Sequence, residues 1–235
     1  MIEITLAIFI AYVVLIVLSL ILDPKRKKSL PGMRRTIFRV LLFSTCKMLF
    51  AIAIVIVACL VSKINLLCTL GFSGFSLNWQ GLGFGFVAAV GFVVIYLLWQ
   101  VSVLRIFKKS QSDENKSDLI DLLPKQWLPL VGVFLIISLE AGLLEEIFFR
   151  GIIQSHMDVF FATSWVAVAS GVLFGIAHFY QGLAGVIGTS ALGVWLGLMF
   201  AMTGNLLVPI LGHFLGDFCC MMLGARYIIQ PETNK

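Results

Sequence analysis

Hydrophobic residues along this chain fall in long runs separated by short polar stretches. Roughly 20 apolar residues span a bilayer as a helix, and runs of that kind lie near residues 4–22, 40–61, 82–104, 127–151, 161–180, 183–203 and 206–228. The pattern predicts an all-α fold, a polytopic membrane helix bundle of about seven spans (eight possible). The stretch from Ser62 to Gln80, with Gly71, Gly74 and Trp79, is too polar and Gly-rich for another span but could dip into the interface. The first run ends in Asp23-Pro24-Lys25-Arg26-Lys27-Lys28. A signal peptide carries its positive charges before the apolar run, so this order predicts a retained first span.

Composition agrees with this pattern. The 235 residues are 60% hydrophobic and only 12% charged, where a soluble domain carries about 25% charged residues. The net charge of +5 is unevenly spread. Lys25, Arg26, Lys27, Lys28, Arg34, Arg35 and Arg39 crowd the first loop, and Arg105, Lys108, Lys109 and Lys116 the third. Positive loops stay cytoplasmic, which predicts an external N-terminus, an internal C-terminus and a multi-pass protein of the plasma (cytoplasmic) membrane. Flanked by apolar spans, these basic clusters point to membrane lipid headgroups and not to nucleic acid. The five cysteines form no Cys-x-x-Cys and are expected to be buried and inert.

Residues 111–125 form the one solvated linker, since Ser112, Asp113, Glu114, Asn115, Lys116, Ser117 and Asp118 cannot make an apolar face. It separates an N-terminal scaffold of about three spans (1–110) from a four-span core (126–235). Lys47, about two turns into the second span, is expected to snorkel to the headgroups. Gly193 and Gly197 have the small-xxx-small spacing that lets membrane helices approach closely.

The chemistry concentrates in the second half. Between Gln126 and Ala225 the charged residues are Arg150, Glu140, Glu145, Glu146, Asp158 and Asp217. Ionisable groups at membrane depth are costly unless paired or wet, and so mark function. On an α-helix, positions four apart share a face. Glu146 can therefore pair with Arg150, which leaves Glu145 without an intrahelical cation and eligible as a general base for water. His178 ends Phe174-Gly175-Ile176-Ala177-His178, and His213 lies four residues before Asp217, close enough for the acid to orient the imidazole. His156, beside Asp158 at a predicted turn, reads as interfacial.

Glu145-Glu146-x-x-x-Arg150, Phe174-x-x-x-His178 and His213-x-x-x-Asp217, in that order on separate helices, resemble the CPBP family. It comprises the CAAX prenyl endopeptidases, the bacteriocin-processing enzymes and their Abi relatives. The resemblance covers about residues 126–222 and includes Asn205 and Pro209 as context for the third motif. The family most often has Asn where this chain has Asp217. The resemblance implies an intramembrane endopeptidase acting on a peptide or membrane-anchored protein. In that scheme Glu145 activates water, His178 assists it, and His213 with Asp217 stabilises the oxyanion, while Glu146 and Arg150 support. No cofactor is expected. The alternative is a divalent metal such as zinc, with Glu145, His178 and His213 as ligands.

A geometric condition accompanies this scheme. At 1.5 Å per residue, His178 lies about 26 Å from a fifth span starting at Phe161, Glu145 about 17 Å from its helix end near His156, and His213 about 14 Å from Gly204. The three meet only if the fifth span is tilted, starts late near Ser164, or is displaced in depth.

Other readings fit less well. A rhomboid-type serine protease would use Ser170, but its Gly-x-Ser-Gly is absent because residue 168 is Val. A transporter would show repeats or broken helices in both halves. A non-catalytic scaffold or bacteriocin-immunity protein of the same family should have lost motif residues.

The charge asymmetry generates a topology prediction. In a Cys-free variant, Ser29→Cys is expected to resist a membrane-impermeant maleimide added to intact cells and to react after permeabilisation. Labelling from outside overturns the assigned orientation.

Overall fold

The computed structural model describes residues 2–21, 37–106, 123–225 and 229. Most of the basic first loop and most of the expected linker 111–125 lie outside these residues. Among those described there is helix and turn but no strand. The helices are α1 (Ile2–Ile21), α2 (Ile37–Val61), a short α3 (Leu66–Thr69) and α4 (Trp79–Ile106). They continue with α5, which starts at Trp127 and runs to Met157, α6 (Thr163–Ala177), α7 (Gly182–Thr203) and α8 (Leu207–Ala225). The chain is thus a polytopic helical bundle. Five helices, α2, α4, α5, α7 and α8, are long and apolar enough to cross a membrane, while α1 and α6 contribute shorter apolar stretches.

Many large apolar side chains face outward, among them Phe9, Phe50, Val57, Leu98 and Trp165. In water such a surface would be unstable, but it suits a hydrocarbon solvent. Lipid supplies no hydrophobic drive between helices, so close packing and hydrogen bonds must join them. One cluster packs Ile4, Ile8, Ala11 and Leu15 of α1 with Met48, Ala51 and Val55 of α2 against Phe148, Phe149 and Ile152 of α5 and Phe174 of α6. A second packs Ala88 and Phe92 of α4 against Leu196 and Met199 of α7 and Val208 of α8. The site lies between them.

Glycines set the closest approaches. A Cβ on Gly193 would lie 2.9 Å from the Gly171 carbonyl oxygen, and one on Gly142 would lie 2.8 Å from the Phe214 backbone nitrogen. These contacts bring α7 onto α6 and α8 onto α5, as the small-residue spacing leads one to expect. The stretch from Ser62 to Gln80 forms α3 and a 3₁₀ turn at Phe72–Gly74 before α4 begins at Trp79.

Two expectations need correction. The fifth apolar run, expected over 161–180, is helical only over Thr163–Ala177, because Ala162 is extended and His178 leaves the α region. The cysteines are not uniformly buried: Cys59 and Cys220 are, but Cys46, Cys68 and Cys219 are exposed. Lys47, expected to reach toward the headgroups, holds its ammonium over the Tyr180 ring, 5.9 Å from the centroid.

Candidate active site

The middle of α5 is not a regular α-helix. It opens into π-helical turns over Ala141–Glu145 and Ile147–Gln154. Such i→i+5 segments are rare interruptions of α-helices and are frequent at functional sites. Both glutamates lie on this widened stretch, and their surroundings differ.

Glu146 is completely buried, as is Arg150, whose Nη1 donates to Glu146 Oε1 at 2.8 Å. The pairing expected from their spacing is present. Arg150 Nη2 donates to the Gly193 carbonyl at 2.7 Å, and one turn along α5 the buried Gln154 donates Nε2–H to the Gly197 carbonyl at 2.9 Å. The two glycines therefore do more than admit a close helix, because side chains there would crowd the carbonyls that α5 uses. Phe174 lies beneath the guanidinium, its ring centroid 4.9 Å from Arg150 Cζ.

His213 reaches the same carboxylate, with Nδ1 2.7 Å from Glu146 Oε1. Glu146 and Arg150 are not supported by each other alone, because α8 supplies a third member. A carboxylate oxygen accepts, so Nδ1 carries the proton and donates. The other edge of the ring faces Asp217, with Nε2 3.6 Å from Oδ2. Phe92 stacks on the imidazole and Phe174 meets it edge-on.

Glu145 and His178 form a separate, partly exposed pair, with Oε1 and Nε2 3.7 Å apart. His178 Nδ1 lies 2.9 Å from the Phe174 carbonyl oxygen. That oxygen can only accept, so Nδ1–H donates and, in the neutral ring, Nε2 presents its lone pair toward Glu145. The geometric condition from sequence is met in part by the late start of α6 at Thr163, which shortens the rise to His178 to about 22 Å. Side-chain length covers the remainder.

Phe174 thus lies at the centre, touching Arg150, His178 and His213. The structure brings Glu145 to His178 and joins Glu146, Arg150, His213 and Asp217 into a chain, the two groups sharing Phe174 as a wall. His156 lies elsewhere, 2.8 Å from the Thr5 hydroxyl. Ser170 is buried and donates to the Phe149 carbonyl, which commits its hydroxyl to joining α6 and α5. Asn205 is an anchor: it accepts from the Ser76 backbone N–H and donates to the Ser76 carbonyl.

Two polar residues of the site region had no assigned role from sequence. Gln154 could have been found from its spacing, four beyond Arg150 and eight beyond Glu146. Glu140 could not, as five positions from Glu145 on an α-helix it belongs to another face. An i→i+5 turn brings it onto the same side, and it lies within electrostatic reach of Glu145.

Metal chemistry needs several donors aimed at one point. Among the described residues no group of three or more His, Cys, Asp or Glu side chains is so arranged. His213 donates Nδ1–H to Glu146 and His178 donates Nδ1–H to a backbone carbonyl, which leaves the Nε2 atoms of both rings to face other partners.

Comparison with known proteins agrees with the motif pattern. Residues 126–219 match the family described as type II CAAX prenyl endopeptidase Rce1-like. A Bacillus subtilis (strain 168) protein named "Uncharacterized protein YpbD" is 31% identical over 140 residues, which cover 57% of this chain and 66% of that relative. The chain therefore spans just under two thirds of the curated relative it matches. No solved structure gives a significant match.

The buried charges generate a stability prediction. Arg150→Met leaves Glu146 buried against His213 alone and is expected to cost about 3–5 kcal/mol, the usual result of breaking a buried pair. Replacing both as Glu146→Leu with Arg150→Met is expected to cost less than the single change. Thermal unfolding in detergent micelles measures both, and equal losses would refute the pairing as the source of the cost.

Proposed function

We propose that this protein, whose residues 126–219 match the Rce1-like family of type II CAAX prenyl endopeptidases, is an intramembrane endopeptidase that cleaves peptide bonds with a glutamate-activated water. The observation that carries the reading is the 3.7 Å approach of Glu145 Oε1 to His178 Nε2 in a partly exposed position, beside a Glu146 that is fully buried and doubly paired. Glu146 is committed to structure. Glu145 is the carboxylate within reach of substrate.

The chemistry follows from the hydrogen-bond directions. A water can give one hydrogen to Glu145 Oε1 and the other to His178 Nε2, which turns its lone pair outward toward a scissile carbonyl. Glu145 takes the proton as the carbon–oxygen bond forms, then hands it to the leaving amine as the carbon–nitrogen bond breaks, which restores the carboxylate. His213 and Asp217 lie on the oxyanion side. To donate through Nε2, His213 carries protons on both nitrogens, flanked by the Glu146 and Asp217 carboxylates. A preorganised donor of this kind is worth about 10²–10³ in kcat. No ion takes part in any step.

The substrate is a peptide or a membrane-anchored protein that presents an extended segment at the membrane. The test uses purified protein and a membrane-anchored reporter peptide. Glu145→Gln is expected to lower kcat by at least about 10²-fold while the protein still inserts and accumulates. Near wild-type turnover in Glu145→Gln, with loss in a folded Glu146→Gln, would reverse the assignment of the base.

The metal-free step has its own test. Cleavage is expected to survive millimolar EDTA and 1,10-phenanthroline, and Asp217→Asn to remain active because an amide oxygen can still accept from His213 while its NH₂ can donate to the oxyanion. Loss on chelation with recovery on added zinc would overturn the mechanism.

A further inference from the structure

Lys47 comes from α2, outside the family-matching residues 126–219, yet its partners belong to the site. Its ammonium lies 5.9 Å from the centre of the Tyr180 ring, within the range at which a cation is held by an aromatic face. The other face of this arrangement is His178, whose ring centroid is 5.7 Å from that of Tyr180. Lys47 also lies within electrostatic reach of Glu140, which in turn feels the charge of Glu145.

The widened turn at Ala141–Glu145 makes this contact necessary. By bringing Glu140 and Glu145 toward one side of α5, it sets two carboxylates near each other in a weakly screened setting, where like charges repel far more than in water. A cation from a neighbouring helix offsets that repulsion, and Lys47 is so placed.

We infer that Lys47 is a positioning residue for the Glu145–His178 pair, acting on Glu145 through Glu140 and on His178 through Tyr180. The inference rests on the endopeptidase reading for its kinetic consequence, but not for its structural one. It makes α2 part of the site: the family-matching residues supply the reacting groups, and α2 supplies the charge that holds two of them in register.

The experiment pairs kinetics with a readout that needs no turnover. In purified full-length protein, Lys47→Met is expected to lower kcat about ten- to a hundredfold, the usual effect of a small misplacement of reacting groups, with KM nearly unchanged. Lys47→Arg should retain most activity, and adding Glu140→Gln to Lys47→Met should restore most of what was lost, because the uncompensated charge is then gone. The rate at which diethyl pyrocarbonate modifies His178, followed by peptide mass spectrometry, should rise severalfold in Lys47→Met. Wild-type kcat and wild-type labelling in Lys47→Met would overturn the inference. A defect confined to KM that Glu140→Gln does not relieve would also overturn it, making Lys47 a substrate-binding cation. Should the wild-type protein cleave no membrane-anchored peptide, the endopeptidase reading fails and the labelling rate alone decides the role of Lys47.

Discussion

The structure depends on one carboxylate that water cannot reach. Glu146 is fully buried, and a lone charge there would be too costly for the fold to keep. It is tolerated because Arg150 and His213 both donate to the same oxygen. Arg150 in turn needs acceptors, and finds one in the Gly193 carbonyl. Three helices, α5, α7 and α8, are therefore joined by hydrogen bonds that exist only in one relative arrangement. In a membrane, where apolar surfaces gain little by meeting each other, such directional contacts set helix register more firmly than burial does.

That arrangement also explains how two adjacent glutamates take different parts. Neighbours on a helix point in different directions, so one can be buried while the other stays partly exposed. The buried one fixes the orientation of His213, because accepting from Nδ1 turns the opposite edge of the ring toward Asp217. His178 is oriented by the same logic, through its bond to the Phe174 carbonyl. In both histidines a partner remote from the reacting atoms decides which nitrogen faces the site, and Phe174 keeps the two rings apart.

Much of this was legible in the sequence, and the illegible parts share a cause. Seven apolar runs, the Glu146–Arg150 pair and the order of the polar motifs follow from local spacing, which is what a sequence displays directly. The depth of His178 does not, because it depends on where α6 begins, and that is set by an extended Ala162 between two apolar stretches. The partnership of His213 with Glu146 spans 67 positions and has no local signature. Glu140 was left without a role for a different reason. Angular reasoning at α-helical pitch fails on a π-helical turn, and nothing in Ala141-Gly142-Leu143-Leu144-Glu145 announces one. Gly142 packing against the Phe214 backbone is a tertiary condition on that turn.

The division of the chain into reacting half and supporting half is less sharp in space than in sequence. Asn205 sits eight residues before His213, and its amide pairs with both backbone groups of Ser76 much as a strand would, while its Oδ1 also accepts from the Leu207 N–H at the start of α8. The turn that launches α8 is thus fastened to the segment leading into α4, and α4 supplies the Phe92 ring that stacks on His213. On the other flank, α1 and α2 bury Phe148, Phe149 and Ile152 of α5, the face adjoining the buried charges. The polar groups of the candidate site all come from residues 145–217, but the angles at which they meet depend on contacts with residues before 100.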